Sequence, residues 1–353
     1  MLKKIWIFII IISLFIFQGV NAEIEEKDFK GEVIKILKET TEIIEVTGEN
    51  VKRQIVLVKL NNGDSIELKN NRTELQKGDS VFVKYQKDEF GESYTLEGVN
   101  RSWTLFLLIS MFVLVVVWFG KKQGIKSLIS LASSLLIIFL VLIPLLLKGY
   151  SPVLVGLPIA SLILLLAIYF THGFNRESTV AIAGTTITIL FMGLISYFAI
   201  EIGSLTGNFT EETIYLDVTT NGILNLKGLL FVGVIIGILG ILDDIAITQV
   251  SIVNEFKRLK EKISYEEMWN KAMNIGRHHV GALINTLALA YAGISLPILM
   301  LLLNTDNSFI FRINQEFFAT EILRATIGSL GIVMTVPVTT FLAIKFLKGK
   351  KND

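Results

Sequence analysis

Hydrophobic positions follow two regimes along the chain. Beyond residue 100 they gather into apolar runs at 103–119, 128–147, 153–170, 179–200, 228–253, 281–303 and 322–346. Each run reaches the roughly 17–25 residues that a helix needs to cross a bilayer. The pattern predicts seven transmembrane helices and a short cytoplasmic tail at 347–353. Between 23 and 100 the apolar positions alternate instead: Val33-Ile34-Ile36, Ile43-Ile44-Val46, Ile55-Leu57, Ile66-Leu68, Val81-Val83 and Tyr94-Leu96. That period of two, uninterrupted by proline, predicts five or six short strands and suggests a small closed barrel, OB-like in size. Asn61-Asn62-Gly63-Asp64 and Lys77-Gly78-Asp79 are predicted turns, because Asn and Gly tolerate the positive φ that tight turns need.

The first 22 residues read as a signal peptide. Lys3 and Lys4 precede an apolar core at 5–17, and Val20-Asn21-Ala22 forms a small-residue cleavage site. Left uncleaved, the same run would be an anchor helix; either way residue 23 starts outside the cytoplasm. Lys and Arg then orient the spans. Lys121, Lys122, Lys126, Arg176, Lys257, Arg258, Lys260, Lys262, Lys271, Arg277, Lys348, Lys350 and Lys351 fall in one set of connections. The opposite set, at 201–227 and 304–321, has few cations. The expected fold class is a mostly α-helical polytopic membrane protein with a small N-terminal extracytoplasmic β-barrel-like domain. Its expected place is the bacterial cytoplasmic membrane, with the C-terminus inside.

Composition agrees with the pattern: 52% of the 353 residues are hydrophobic, 18% are charged and the mean hydropathy is +0.61. A net charge of +1, with no basic tract away from the membrane flanks, gives no basis for nucleic-acid binding. The absence of cysteine excludes disulfides, thiolate metal sites and a cysteine nucleophile. Three histidines (His172, His278 and His279) are too few for a histidine-rich zinc centre. No P-loop, dinucleotide fingerprint, metalloprotease motif or nucleophile elbow occurs, so neither an enzyme nor a cofactor is expected.

The candidate chemistry lies in the fifth span. At about 100° per residue, Gly233, Gly237, Gly240, Asp244, Thr248, Ser251 and Glu255 fall within a sector of roughly 80°. An intramembrane carboxylate needs protein or water around it, so this small, acidic stripe is expected to face the bundle interior. Asp243 lies about 100° round the helix and is the lesser candidate. On the sixth span Asn274, His278, Gly281, Asn285 and Ala288 repeat at helical spacing, with Thr286 beside them. This second stripe is expected to meet the first. Ala181, Gly184, Thr185 and Thr188 on the fourth span, and Gly328, Gly331, Thr335 and Thr339 on the seventh, extend the same small and polar character. Together the four helices either enclose a pathway or simply pack closely through these faces. The segment 256–279 is expected to lie along the inner membrane surface.

Two stretches, GILGILDDIAITQVSIVNEF and NIGRHHVGALINTLALAYAGISLPIL, resemble the signature segments of the YibE/F-like family of bacterial membrane proteins. The first pattern falls on Gly240, Asp244, Thr248, Ser251 and Glu255, the second on Asn274, Gly276, Arg277, Asn285, Thr286 and Tyr291. The family commonly has an acid where this chain has His278, so no carboxylate role carries over to that position. The resemblance implies membership and a membrane location, and it implies no activity. The order of an Asp-bearing helix, a cytoplasmic connection, an Asn-Thr helix and a Gly/Thr/Pro helix is also similar to SecD/SecF and RND-type translocases. That likeness implies an intramembrane aspartate relaying protons.

The leading expectation is an ion-coupled transporter or translocation component. Its ion would be a proton or sodium, its cargo is unspecified, and Asp244 would be the coupling carboxylate. Thr248, Ser251, Glu255, Asn285 and Thr286 would stand along the path. The alternative is a membrane sensor or assembly factor whose outer β domain recognises a partner. The lipid bilayer is the expected environment in both, with a homo-oligomer or a membrane partner as possible company.

Overall fold

The computed structural model describes residues 25–43, 50–71, 74–88, 91–259, 263–303 and 308–347. The expected signal peptide, residues 44–46 of the second strand run and the tail beyond Leu347 lie outside them. The chain divides into two compact units, one ending at Phe119 and the other starting at Gly120.

The first unit holds five antiparallel strands: β1 (Glu25–Ile43), β2 (Asn50–Leu60), β3 (Ser65–Asn70), β4 (Ser80–Asp88) and β5 (Gly91–Val99). Their order in the sheet is β3-β2-β1-β4-β5. The long β1 serves two partners. Its first part pairs with β4 and its second with β2, with register irregularities between Val33/Lys35 and Ile36/Lys38. Such bulges bend a strand and increase its twist. The sheet thereby wraps a core of Val33, Val56, Val58, Leu68, Val81 and Val83. The outer strands β3 and β5 lie near one another but do not pair, so the expected closed barrel is a half-barrel. The runs at 33–36 and 43–46 join, as far as Ile43, into one strand because β1 continues across its bulges. The turns at Gly63 (φ +99°) and Gly78 (φ +94°) use the positive φ expected of them.

The helices are α1 (Ser102–Ile137), a π-helical turn (Ile138–Leu142), α2 (Ile143–Leu147), α3 (Pro152–His172), α4 (Arg176–Ile202), α5 (Glu211–Thr219), α6 (Leu226–Leu259), α7 (Tyr265–Ile294), α8 (Leu296–Leu303), α9 (Phe309–Ile313) and α10 (Glu316–Phe346). Among the described residues five helical stretches are long and apolar enough to cross a membrane: Ser102–Leu147, Pro152–His172, Arg176–Ile202, Leu226–Leu259 and Glu316–Phe346. The protein is a multi-pass membrane protein.

Three of the seven expected spans take another form. Those at 103–119 and 128–147 lie within one helical stretch, Ser102–Leu147, interrupted at Lys121 (φ 47°, ψ −130°). The run at 281–303 breaks at Ser295, between α7 and α8. The Ser295 N–H still makes a helical bond to Tyr291 O at 2.9 Å, but Pro297 has no N–H to offer Gly293 O, so the ladder is interrupted there. The segment 256–279 is no separate surface helix: α6 runs on to Leu259, and α7 starts at Tyr265 and continues into the sixth run.

Within the second unit α6 is the central helix, packed on α3, α4 and α10, while α7 packs chiefly on α10. Glycines set the closest approaches. A side chain at Gly184 would overlap Thr339, and one at Gly156 would overlap Val232. Thr185, Thr188, Thr335 and Thr339 are buried and donate to carbonyls of their own helices. The small and hydroxyl faces of α4 and α10 are therefore packing surfaces.

Candidate functional site

The acidic stripe does not face the bundle interior. Gly233, Gly237, Gly240, Asp244, Ser251 and Glu255 are exposed on α6, and Thr248 is half-buried. The helix buries its aliphatic side instead, through Leu230, Val234, Ile238, Leu242 and Ile245. Branched side chains offer many more dispersion contacts than glycine, and a carboxylate costs most where it is fully desolvated. Both effects turn the helix the same way. On α7, Asn274, His278, Gly281, Asn285 and Ala288 are likewise exposed, so the two stripes do not meet. Thr286 is exposed and donates to Ala282 O at 3.0 Å. Towards the middle of the two helices the contact between α6 and α7 is apolar, with Ile241, Ile245, Val280, Leu283 and Leu287 in one cluster. Tyr291 is half-buried, its hydroxyl 3.5 Å from where a Gly237 side chain would begin.

Asp244 and its neighbour Asp243 open onto a cavity of about 390 Å³ between the latter half of α1, α3 and α6. Asp243, Asp244 and Gly240 form its α6 wall, Thr171 and His172 its α3 wall, and Ser127, Ser130 and Ser134 its α1 wall. Ile163, Leu164, Ile168, Leu239 and Ile247 supply the apolar remainder. The backbone N–H of Asp244 donates to Asp243 Oδ1 at 2.8 Å, which orients the Asp243 carboxylate. Asp243 is half-buried and lines the same cavity as Asp244. A separation of about 100° round the helix still lets both neighbours border one opening.

Local sequence fixes this arrangement. Pro152 packs against Gly228 and Gly156 against Val232, which sets α3 beside α6 in parallel. The same alignment brings His172 to the level of the two aspartates. Ser134 Oγ donates to Ser130 O at 3.0 Å, leaving its lone pairs to accept from a cation, water or N–H. Ser130 is 7% exposed and borders the opening. The serines and His172 went unmarked in the sequence because they sit on helices whose apolar pattern is continuous. Only the pairing of α1 and α3 with α6 makes them a set.

The remaining motif residues do other work. Glu255 pairs with Arg258 at 3.3 Å on the surface. Arg277 and His278 are exposed. Gly276 is buried, and a side chain there would press on Val336 and on the Gln249 amide. Gln249, 2% exposed, donates to Ala272 O at 2.9 Å and Thr340 Oγ1 at 2.8 Å, joining α6 to α7 and α10. The second motif thus supports a buried amide clamp.

The family profile described as YibE/F-like protein matches residues 108–349. The chain belongs to that family. No curated protein and no solved structure matches it, so the likeness to SecD/SecF rests on order and spacing alone.

Proposed function

We propose that this YibE/F-like protein is an ion-coupled transporter or translocation component whose coupling site is the Asp243–Asp244 pair. One observation carries the reading: two adjoining carboxylates border a hydroxyl-lined cavity inside a helical membrane unit. Carboxylates within a membrane are costly and occur where they bind or relay ions. The serine and threonine hydroxyls suit a proton, carried through water, or a sodium ion, held by oxygen. His172 is the one imidazole on the cavity wall and supplies a second proton-exchanging group. Thr248, Ser251, Glu255, Asn285 and Thr286 lie outside this cavity and are assigned no part in the coupling step.

Seven crossings, with the sheet unit outside and the C-terminus in the cytoplasm, accompany this reading. The Ser102–Leu147 stretch has 46 residues. Such a stretch measures about 69 Å along a helix, more than twice the roughly 30 Å hydrocarbon core, so it suits two crossings joined at Lys121.

Carbodiimide modification followed by mass spectrometry tests the site. In membranes, Asp243 or Asp244 should be modified, with modification suppressed by sodium or by a change of pH. Asp243→Asn and Asp244→Asn should each diminish it, and the double variant should abolish it. Because the chain has no cysteine, Ser134→Cys offers a single thiol for a water-soluble reagent. An unreactive thiol together with unmodified carboxylates would mean a dry, closed cavity, and the ion-coupled reading would fail. Partner recognition by the outer sheet would then take its place.

A further inference from the structure

A second cavity, of about 700 Å³, lies away from the aspartates, where the start of α4 meets the end of α10. Val180 and Ala183 from α4, with Leu342 and Phe346 from α10, form its apolar length. Its other end is polar and cationic, because Arg176, the first residue of α4, borders it beside Asn175 and Thr179. Tyr169 and Phe174, stacked with ring centroids 4.3 Å apart, close one side. The Tyr169 hydroxyl lies 3.1 Å from Thr179 Oγ1, which steadies that side.

The charges at this end are sorted. Among the described residues Arg176 has no carboxylate partner, although Glu177 follows it in sequence. Glu177 is engaged elsewhere, accepting from Asn254 Nδ2 of α6 at 2.7 Å. Lys345 adds a second cation beside the groove, its Nζ 5.6 Å from the centroid of the Phe346 ring. The N-terminal dipole of α4 points the same way. From Arg176 to Ala183 is seven residues, about 10 Å along the helix. The groove therefore runs from a cationic mouth into an apolar trough about 10 Å long, within a unit that crosses the bilayer.

We propose that this groove is a binding site for an anionic glycerophospholipid. Arg176 would take the headgroup phosphate, and the Val180–Ala183–Leu342–Phe346 trough would hold part of one acyl chain. A guanidinium pairs well with phosphate oxygens, and a stacked aromatic pair packs on hydrocarbon at the interface. A soluble phosphate would leave the trough unfilled, a lipid without phosphate would leave Arg176 unpaired, and a zwitterionic headgroup would set its own ammonium against Arg176 and Lys345. Only a ligand with both parts matches both ends. The site stands apart from the aspartate cavity, so its fate does not depend on the coupling reading.

The test uses the full-length protein in neutral detergent, with bound lipid counted by native mass spectrometry. The probes are phosphatidylglycerol, phosphatidylcholine and glycerol 1-phosphate. Wild type should prefer phosphatidylglycerol over phosphatidylcholine by about fivefold or more, since each cation near an anionic headgroup is worth a factor of about five. Arg176→Gln should lower that preference about fivefold, with Arg176→Lys restoring part of it. Ala183→Trp should reduce retention of both lipids by filling the trough. Leu342→Trp does the same from α10 and serves if the first variant does not fold, as judged by its melting temperature. Asp244→Asn should leave the lipid preference unchanged. Equal retention of the two lipids by wild type would overturn the proposal. So would an undiminished preference in Arg176→Gln, unchanged retention in the folded tryptophan variants, or competition by glycerol 1-phosphate as strong as by phosphatidylglycerol.

Discussion

At the scale of single residues, the sequence drew attention to Gly240 and Asp244, which line the cavity, but not to the side chains gathered around them. Asp244 stood out because a carboxylate is rare in an apolar run, and the structure gives it Asp243 and His172 as company in one cavity. Gln249 did not stand out, although it is the polar side chain that joins three helices. Glycine shows the same limit. Gly276 and Gly281 look alike in the sequence, yet a side chain at Gly276 would press on Val336 and Gln249, while at Gly281 none of the described atoms lies within 4 Å. Gly276→Ala should therefore destabilise the purified protein by about 1–3 kcal/mol, the usual cost of overpacking. Gly281→Ala should be neutral or stabilising by up to about 1 kcal/mol, because it gains helix propensity without a clash. Gln249→Leu should cost about 1–3 kcal/mol, because it removes two buried hydrogen bonds that tie three helices together. Melting temperatures in one detergent check all three, and equal effects at the two glycines would contradict the clamp.

At the scale of elements, periodicity carried most of the information. Long apolar runs became helices, and alternation became strands, because side-chain burial repeats with the period of the backbone. Barrel closure was not legible, since it depends on whether distant edges pair. Nor was the orientation of the acidic stripe, because burial on several sides of α6 outweighs one polar sector. The sheet also holds a buried polar staple. Gln54, 2% exposed, accepts from the Leu75 N–H at 2.8 Å and donates to Glu39 Oε2 at 3.2 Å. That bond, and then the charge of Lys52, lowers the Glu39 pKa below its ordinary 4.5; Lys87 does the same for Glu92. These carboxyls hold protons less tightly in the fold than in the unfolded chain. Their stabilising contribution is therefore complete above the ordinary carboxylate range and is lost as pH falls through the lowered values. Residues 23–100, expressed alone, should fold around the half-barrel core and lose stability as pH drops below about 4.5. Glu39→Gln should flatten part of that slope in urea titrations followed by circular dichroism. An unfolded spectrum at neutral pH would show that the core is insufficient by itself.

At the scale of the whole molecule, helix direction within the second unit gives an argument that hydropathy alone does not. α3 and α6 are parallel, since Pro152 meets Gly228 and Gly156 meets Val232. α6 and α10 are also parallel: Gly328 adjoins Ile238, Gly331 adjoins Leu242, and Lys257 Nζ caps the end of α10 by donating to Ile344 O at 2.8 Å. α4 runs the other way. Its start shares a groove with Phe346 at the end of α10, and Thr206 and Gly207, just beyond its end, hold Glu316 at the start of α10. α7 is antiparallel to α10 as well, with Gly276 beside Val336 and Leu287 beside Gly328. Direction thus alternates through α3, α4, α6, α7 and α10, as it must if each is a single crossing, even though Ser295 interrupts the run to which α7 belongs. The cations Arg176, Lys257 and Lys345 gather at one end of these helices, and the proposal that this end is cytoplasmic rests on that asymmetry. With no native cysteine, each introduced thiol is the only one in the chain. Asn221→Cys and Ser308→Cys should react with a membrane-impermeant maleimide on intact cells, while Glu266→Cys should react only after the membrane is opened. Labelling of Glu266→Cys from outside, or protection of Ser308→Cys, would mean that α7 does not cross, and the seven-span arrangement would fall with it.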